Sequence, residues 1–104
     1  MFRDWQVFNM AILDDVKAYL DITWEDQPTN NKLTGIIERG KAYLNDISGA
    51  TLNYDVEDKP RALLFDYCRY ARSNALEMFP VNFKSELISL RLSTLTKDVG
   101  IDET

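Results

Sequence analysis

The sequence contains no histidine. That excludes imidazole-based triads, imidazole general bases and zinc sites built on histidine. Its single cysteine, Cys68, rules out a disulfide within the chain and a cysteine-rich metal site. The four glycines stand apart from one another, so no Gly-rich phosphate loop is present. Positive charge is in deficit: 12 Lys and Arg face 17 Asp and Glu, for a net charge of −5. An acidic chain, with pI near 4.6, lacks the basic footprint that nonspecific nucleic-acid binding needs. No apolar run approaches the ~20 residues of a membrane span. The first residues mix Arg3 and Asp4 with aromatics and show no apolar signal-peptide core, so synthesis in the cytoplasm is expected.

What is present is an ordinary globular composition, 45% hydrophobic and 28% charged over 104 residues. It fits one domain with one core. We expect a single unit over 1–104, with 1–9 as an N-terminal extension and 97–104 as a C-terminal tail. The expected class is all-α: a small four-helix bundle with an extended loop between the second and third helices.

The stretch between Pro60 and Pro80 organises the rest. Asp58 suits an N-cap and Pro60 the first helical turn. Pro80 biases Phe79 away from helical geometry and closes the segment. No glycine or proline interrupts it, so a helix over 60–79 is predicted. On a wheel of about 100° per residue, Leu63, Leu64, Tyr67, Cys68, Tyr70, Ala71, Ala75 and Met78 fill one broad arc. Phe65 and Leu76 fall outside that arc, and Arg61 and Arg72 lie between the two apolar sets. A helix apolar on so many sides is covered from several directions. Cys68 lies on the apolar arc and reads as a buried, inert thiol. Leu64, Tyr67, Ala71 and Met78 are expected to form the core with Leu33, Ile36, Ile37 and Leu44.

The other elements follow in order. Phe2, Trp5 and Phe8 make the start aromatic-rich, either as a docking arm or, as we prefer, packed on the nearest core. Leu13, Val16 and Leu20 repeat at helical spacing and predict a helix over 13–20. Glu25 and Asp26 form an acidic pair that could suggest a cation site. Without a ligand-spaced loop around them, a helix cap or solvated loop is the better reading. A second helix, over 29–46, has an apolar stripe containing Leu33, Ile36, Ile37, Gly40, Tyr43 and Leu44. Gly40 inside that stripe points to a close helix–helix approach. Gly49 is placed to end the helix in the left-handed conformation. The segment 50–57 alternates Leu52, Tyr54 and Val56 with polar residues and reads as an extended loop, able to pair with a neighbouring chain.

A last helix, over 82–95, carries two separate stripes. Phe83, Leu87 and Leu90 make one. Val81, Ile88, Leu92 and Leu95 make the other at spacings of seven, four and three. One stripe serves the core, which leaves the second in need of its own cover. The candidate subunit interface is therefore Val81, Ile88, Leu92 and Leu95, with Phe65, Leu76, Leu52 and Tyr54. Carboxylates are plentiful, but no spacing singles out an acid–base pair. No catalytic, cofactor-binding or metal residue is assigned, and enzymatic activity is not expected.

Several stretches together resemble one family. L-D-D-V-K-A-Y-L-D-I over 13–22 looks like the opening L-E-E-V-K-x-Y-L of phage head–tail connector proteins. G-I-I-E-R-G-K-A-Y-L-N-D-I-S-G over 35–49, followed by L-N-Y, resembles their second helix and loop. L-L-F-D-Y-C-R-Y-A-R-S-N-A-L-E-M-F and then N-F-K-S-E-L-I-S-L-R-L are similar to their third and fourth helices. The order of these motifs, over 13–95, carries the likeness. The chain departs from the family at its longer start and its short tail.

The resemblance implies a small all-α structural protein of a tailed bacteriophage or prophage. It would act in head completion and virion assembly, without cofactor or membrane. It implies an oligomeric ring of about a dozen subunits beneath the portal protein, with tail or stopper proteins on the other side. DNA would pass through its channel without specific binding, and the protein would reside at the head–tail junction of the virion. A small helical adaptor regulating a cellular partner is the other reading that these surfaces allow.

Overall fold

The computed structural model describes residues 12–99, with side chains described to Leu95. Among these residues every regular element is helical, so the chain is all-α. Helix α1 covers 12–19, α2 Gln27–Ser48, α3 Lys59–Arg72, α4 Phe79–Asn82 and α5 Lys84–Val99, with a 3₁₀ turn at Leu76–Met78 before α4. The aromatic start, 1–9, and the end of the expected tail, 100–104, lie outside the described residues. Helical backbone through Val99 corrects the expected end at Leu95.

Helix α1 stops where Asp21 takes a left-handed conformation, φ 61°. There Ile22 N–H donates to Lys17 O and Asp21 N–H to Ala18 O, pairing carbonyls that the helix end would leave open. Helix α2 starts on Asp26, whose carboxylate accepts from Thr29 N–H at 3.1 Å and from Thr29 Oγ1 at 2.6 Å. The acidic pair is thus a cap and an ion-pair partner: Glu25 accepts from Lys17 Nζ at 2.8 Å, which holds the Glu25 carboxyl below its ordinary range. Lys17 buries its stem and keeps its ammonium on this exposed carboxylate. Asp26→Ala should lower stability by about 1 kcal/mol, the usual value of an N-cap, as read by urea denaturation. No measurable change would mean that the cap is redundant. At the other end Gly49 closes α2 with φ 78°, as its position suggested.

The expected single helix over 60–79 is corrected: α3 stops at Arg72. Asn74 turns left-handed at φ 57°. Ala75 N–H reaches Tyr70 O at 2.9 Å and Asn74 N–H reaches Ala71 O at 3.2 Å. Asparagine tolerates this conformation because its short polar side chain can satisfy nearby backbone groups. The chain restarts in the 3₁₀ turn, and Phe79 is helical at φ −60°, ψ −52°, with Pro80 in the first turn of α4. Proline therefore opens the new helix there and does not close the old one.

The core joins α1, α2, α3 and α5 with Phe79 of α4. Val16, Leu33, Leu44, Leu64, Cys68 and Phe79 are its most enclosed members, and α2 packs against both α3 and α5. The expected core residues Leu33, Ile36, Ile37, Leu44, Leu64 and Tyr67 are buried, and Ala71 is half-buried. Met78 is exposed, because the break at Asn74 changes the phase of everything after it. Gly40 sits where α2 meets α3. A Cβ there would lie 2.8 Å from both Leu64 Cδ1 and Tyr67 Cδ1. Thr94 Oγ1 donates to Ser48 O at 2.7 Å and ties α5 to the end of α2.

Candidate functional site

Helix α5, with Val81 of α4 and the intervening Phe83, places the two stripes on different sides. Phe83, Leu87 and Leu90 turn into the core. Val81, Ile88, Leu92 and Leu95 turn outward and are 64%, 51%, 56% and 44% exposed. Ile88, Leu92 and Leu95 lie within about 60° of one another around α5, while Val81 stands on α4, before the break at Phe83. Ser85, Ser89 and Ser93 border Ile88 and Leu92 in a shallow groove. Small side chains there leave the two large ones standing as a ridge. Lys84 and Arg91 flank the ridge and are exposed. Other exposed apolar side chains, Tyr19, Trp24, Val56 and Met78, are set on other elements.

The remaining interface candidates separate from this ridge. Tyr54 is corrected to a buried residue. Its hydroxyl donates to Asn45 Oδ1 at 2.8 Å and lies 3.3 Å from Lys41 O, and burial pushes its pKa up to about 12. Leu52 is half-buried against the core, and its N–H donates to the same Asn45 Oδ1 at 3.1 Å. Phe65 is half-buried on the α1 side of α3, its ring 5.5 Å from that of Tyr19 and 4.9 Å from the Arg61 guanidinium. Leu76 packs partly against the core from the 3₁₀ turn.

The structure adds a residue that sequence periodicity did not single out for a role. Arg61 is buried, and its guanidinium binds three places at once. It donates to Asp15 of α1, to Tyr54 O of the loop at 2.9 Å, and pairs with Glu57 at 3.3 Å. Its position between two apolar sets on the wheel was the available signal. Only Arg offers enough donors in a planar fork to hold helix, loop and acid together. The loop after α2 is thereby held against α3. Leu52, Asn53, Val56, Asp58 and Pro60, with Thr94 of α5, line a crevice beside it.

The reactive groups are held quiet. Cys68 is fully buried, and burial pushes its thiol up to about 12. Tyr19 donates to Asp66 Oδ1 at 2.6 Å, and that hydrogen bond raises its pKa, so the phenol keeps its proton. Arg69 donates to the same oxygen at 3.2 Å. Among the described residues no group of three or more His, Cys, Asp and Glu side chains gathers as a metal site would require. No helix among them is long and apolar enough to cross a membrane. The arrangement can present an apolar ridge and an apolar crevice to another macromolecule.

No protein-family model, curated protein or solved structure matches this chain.

Proposed function

We propose that this chain is a structural adaptor of a tailed bacteriophage or prophage, joining the DNA-filled head to the tail as a ring beneath the portal. The carrying observation is the outward ridge of α5, with Ile88, Leu92 and Leu95 on one face and 51%, 56% and 44% exposed. A row of large aliphatic side chains aligned on one helix face is suited to association. The order of the connector-like motifs along 13–95 supplies the particular assembly. The reading includes the finer architecture, a small four-helix bundle of α1, α2, α3 and α5 with an extended loop after α2. It also includes about a dozen copies closing head-to-tail, contacts to portal and to tail or stopper proteins, and DNA passing through the channel unbound. A net charge of −5 suits such a channel, because repulsion discourages phosphate from sticking. Made in the bacterial cytoplasm, the protein would end at the head–tail junction of the virion.

Co-sedimentation with purified portal rings tests this. The wild-type chain should pellet with portal, and Ile88→Asp should stay in the supernatant while keeping its helical circular dichroism. A charge buried in such a contact without a partner costs several kcal/mol, enough to abolish pelleting. A wild-type chain left in the supernatant overturns the adaptor reading. An Ile88→Asp variant that pellets normally removes α5 from the contact.

A further inference from the structure

Two apolar features lie on different sides of the chain. One is convex, the α5 ridge that begins at Ile88 and continues through Leu92 and Leu95. The other is concave, the crevice whose apolar lining is Ala50, Leu52, Val56 and Pro60. Thr94 of α5 reaches the crevice and is buried, and its position is about 120° around the helix from Ile88. The ridge therefore cannot turn into the crevice of its own chain, since Thr94, which lines the crevice, is fixed to the same helix as Ile88.

Charge distinguishes the two features. The loop and α3 cap beside the crevice carry Asp55, Glu57 and Asp58, all exposed and all acidic. Asp58 caps α3, and Glu57 keeps its carboxylate in solvent although it pairs with Arg61. Lys59, next in the chain, is turned to Ser89 Oγ at 2.7 Å. On α5 the exposed basic residues Lys84 and Arg91 both lie within about 60° of Ile88, on one flank, and Arg91 also donates to Ile47 O of α2 at 3.3 Å. Glu86 lies on the far side of the helix by the same spacing. A chain with an excess of acid has thus placed a basic flank beside its apolar ridge and an acidic rim beside its apolar crevice.

We infer that the crevice is the seat for the α5 ridge of a second copy of this chain. Ile88 enters between Leu52 and Val56, and Lys84 and Arg91 face the Asp55–Glu57 rim. The opposite signs set the register and disfavour pairing of two ridges, which would bring like charges together. Because each copy offers one ridge and one crevice, the contact is head-to-tail and repeats. This deepens the ring reading and rests on it for its biological meaning, but the contact can be tested without portal.

Sedimentation velocity on the full chain at roughly millimolar concentration is the experiment, since isolated contacts of modest area are weak. The wild-type chain should associate reversibly, and less so at high salt. Ile88→Asp and Val56→Asp should each be monomeric alone, with unchanged circular dichroism. Mixed in equal amounts they should form a one-to-one pair that does not grow, because the mixture holds one intact ridge and one intact crevice per pair. Asp55→Lys, on the exposed rim, should weaken association about tenfold by reversing one cross-contact charge. A monomeric wild-type chain, Val56→Asp or Asp55→Lys associating as the wild type does, or a mixture that stays monomeric overturns the inference. A chain that fails here yet pellets with portal leaves the adaptor reading standing. A chain that associates as described but ignores portal sinks the adaptor reading alone.

Discussion

Phe79→Ala should lower the unfolding free energy by about 3–5 kcal/mol, the range for removing a buried aromatic side chain. Phe79 is 1% exposed. Its ring lies 5.6 Å from Tyr67 and 5.7 Å from Tyr70 of α3, 6.0 Å from Tyr43 of α2 and 4.8 Å from Phe83. Most of these pairs are edge-on, the arrangement that brings a ring's positive rim to its neighbour's negative face. Truncation removes one partner from all four and leaves a cavity between three elements. Domains of this size are stable by only about 5–15 kcal/mol, so the variant should be close to unfolding at room temperature. Its neighbour Met78 is exposed, and Met78→Ala should cost little. Urea denaturation followed by circular dichroism checks both. A loss under about 1 kcal/mol at Phe79 would mean that the aromatic cluster relaxes into the gap.

Leu64→Ala should cost about 2–5 kcal/mol. Leu64 is fully buried and faces Gly40 across the α2–α3 contact. The same site makes a second quantity measurable. Gly40→Ala would gain up to about 1 kcal/mol in helix propensity. It would also drive a methyl to 2.8 Å from Leu64 Cδ1 and Tyr67 Cδ1, and overpacking of this kind costs about 1–3 kcal/mol. Combined with Leu64→Ala, half of that clash disappears. The double variant should therefore lose less stability than the two single losses added together, as coupled neighbours do. Strict additivity would show that α2 and α3 shift apart without strain.

The elements that local chemistry decides were legible in the sequence. Asp26 and Gly49 bracket α2 because an acid can pair the first N–H groups and glycine alone is at ease with φ 78°. Gly40 announced a close approach because nothing else justifies glycine in an apolar stripe. The α5 ridge was legible because its two stripes point too far apart for one core to cover both. The break after Arg72 was not read, because asparagine marks a left-handed residue far less reliably than glycine does. Ser73 and Asn74, following Arg69 and Arg72 in a last turn, were the available hint. Missing that break misplaced Met78.

Tyr54 and Arg61 show a different limit. Alternation along 50–57 cannot reveal that Tyr54 finds Asn45 on α2, since that partner comes from packing. Arg61 likewise meets Asp15 across 46 positions of sequence. The crevice, lined by the loop that these two residues anchor, was accordingly invisible before the helices were assembled.

Cys68 gives the molecule a built-in clock. Its sulfur is sealed in the core and keeps its proton at neutral pH, so a thiol reagent can reach it only in molecules that have opened. It is the chain's single thiol, so every labelled molecule reports one opening event at one place. Where reclosing is fast, the labelling rate follows the open fraction, and where the reagent wins, it follows the opening rate itself. The chain can thus be timed in its native buffer, without denaturant and without an engineered labelling site, alone or held in a larger assembly.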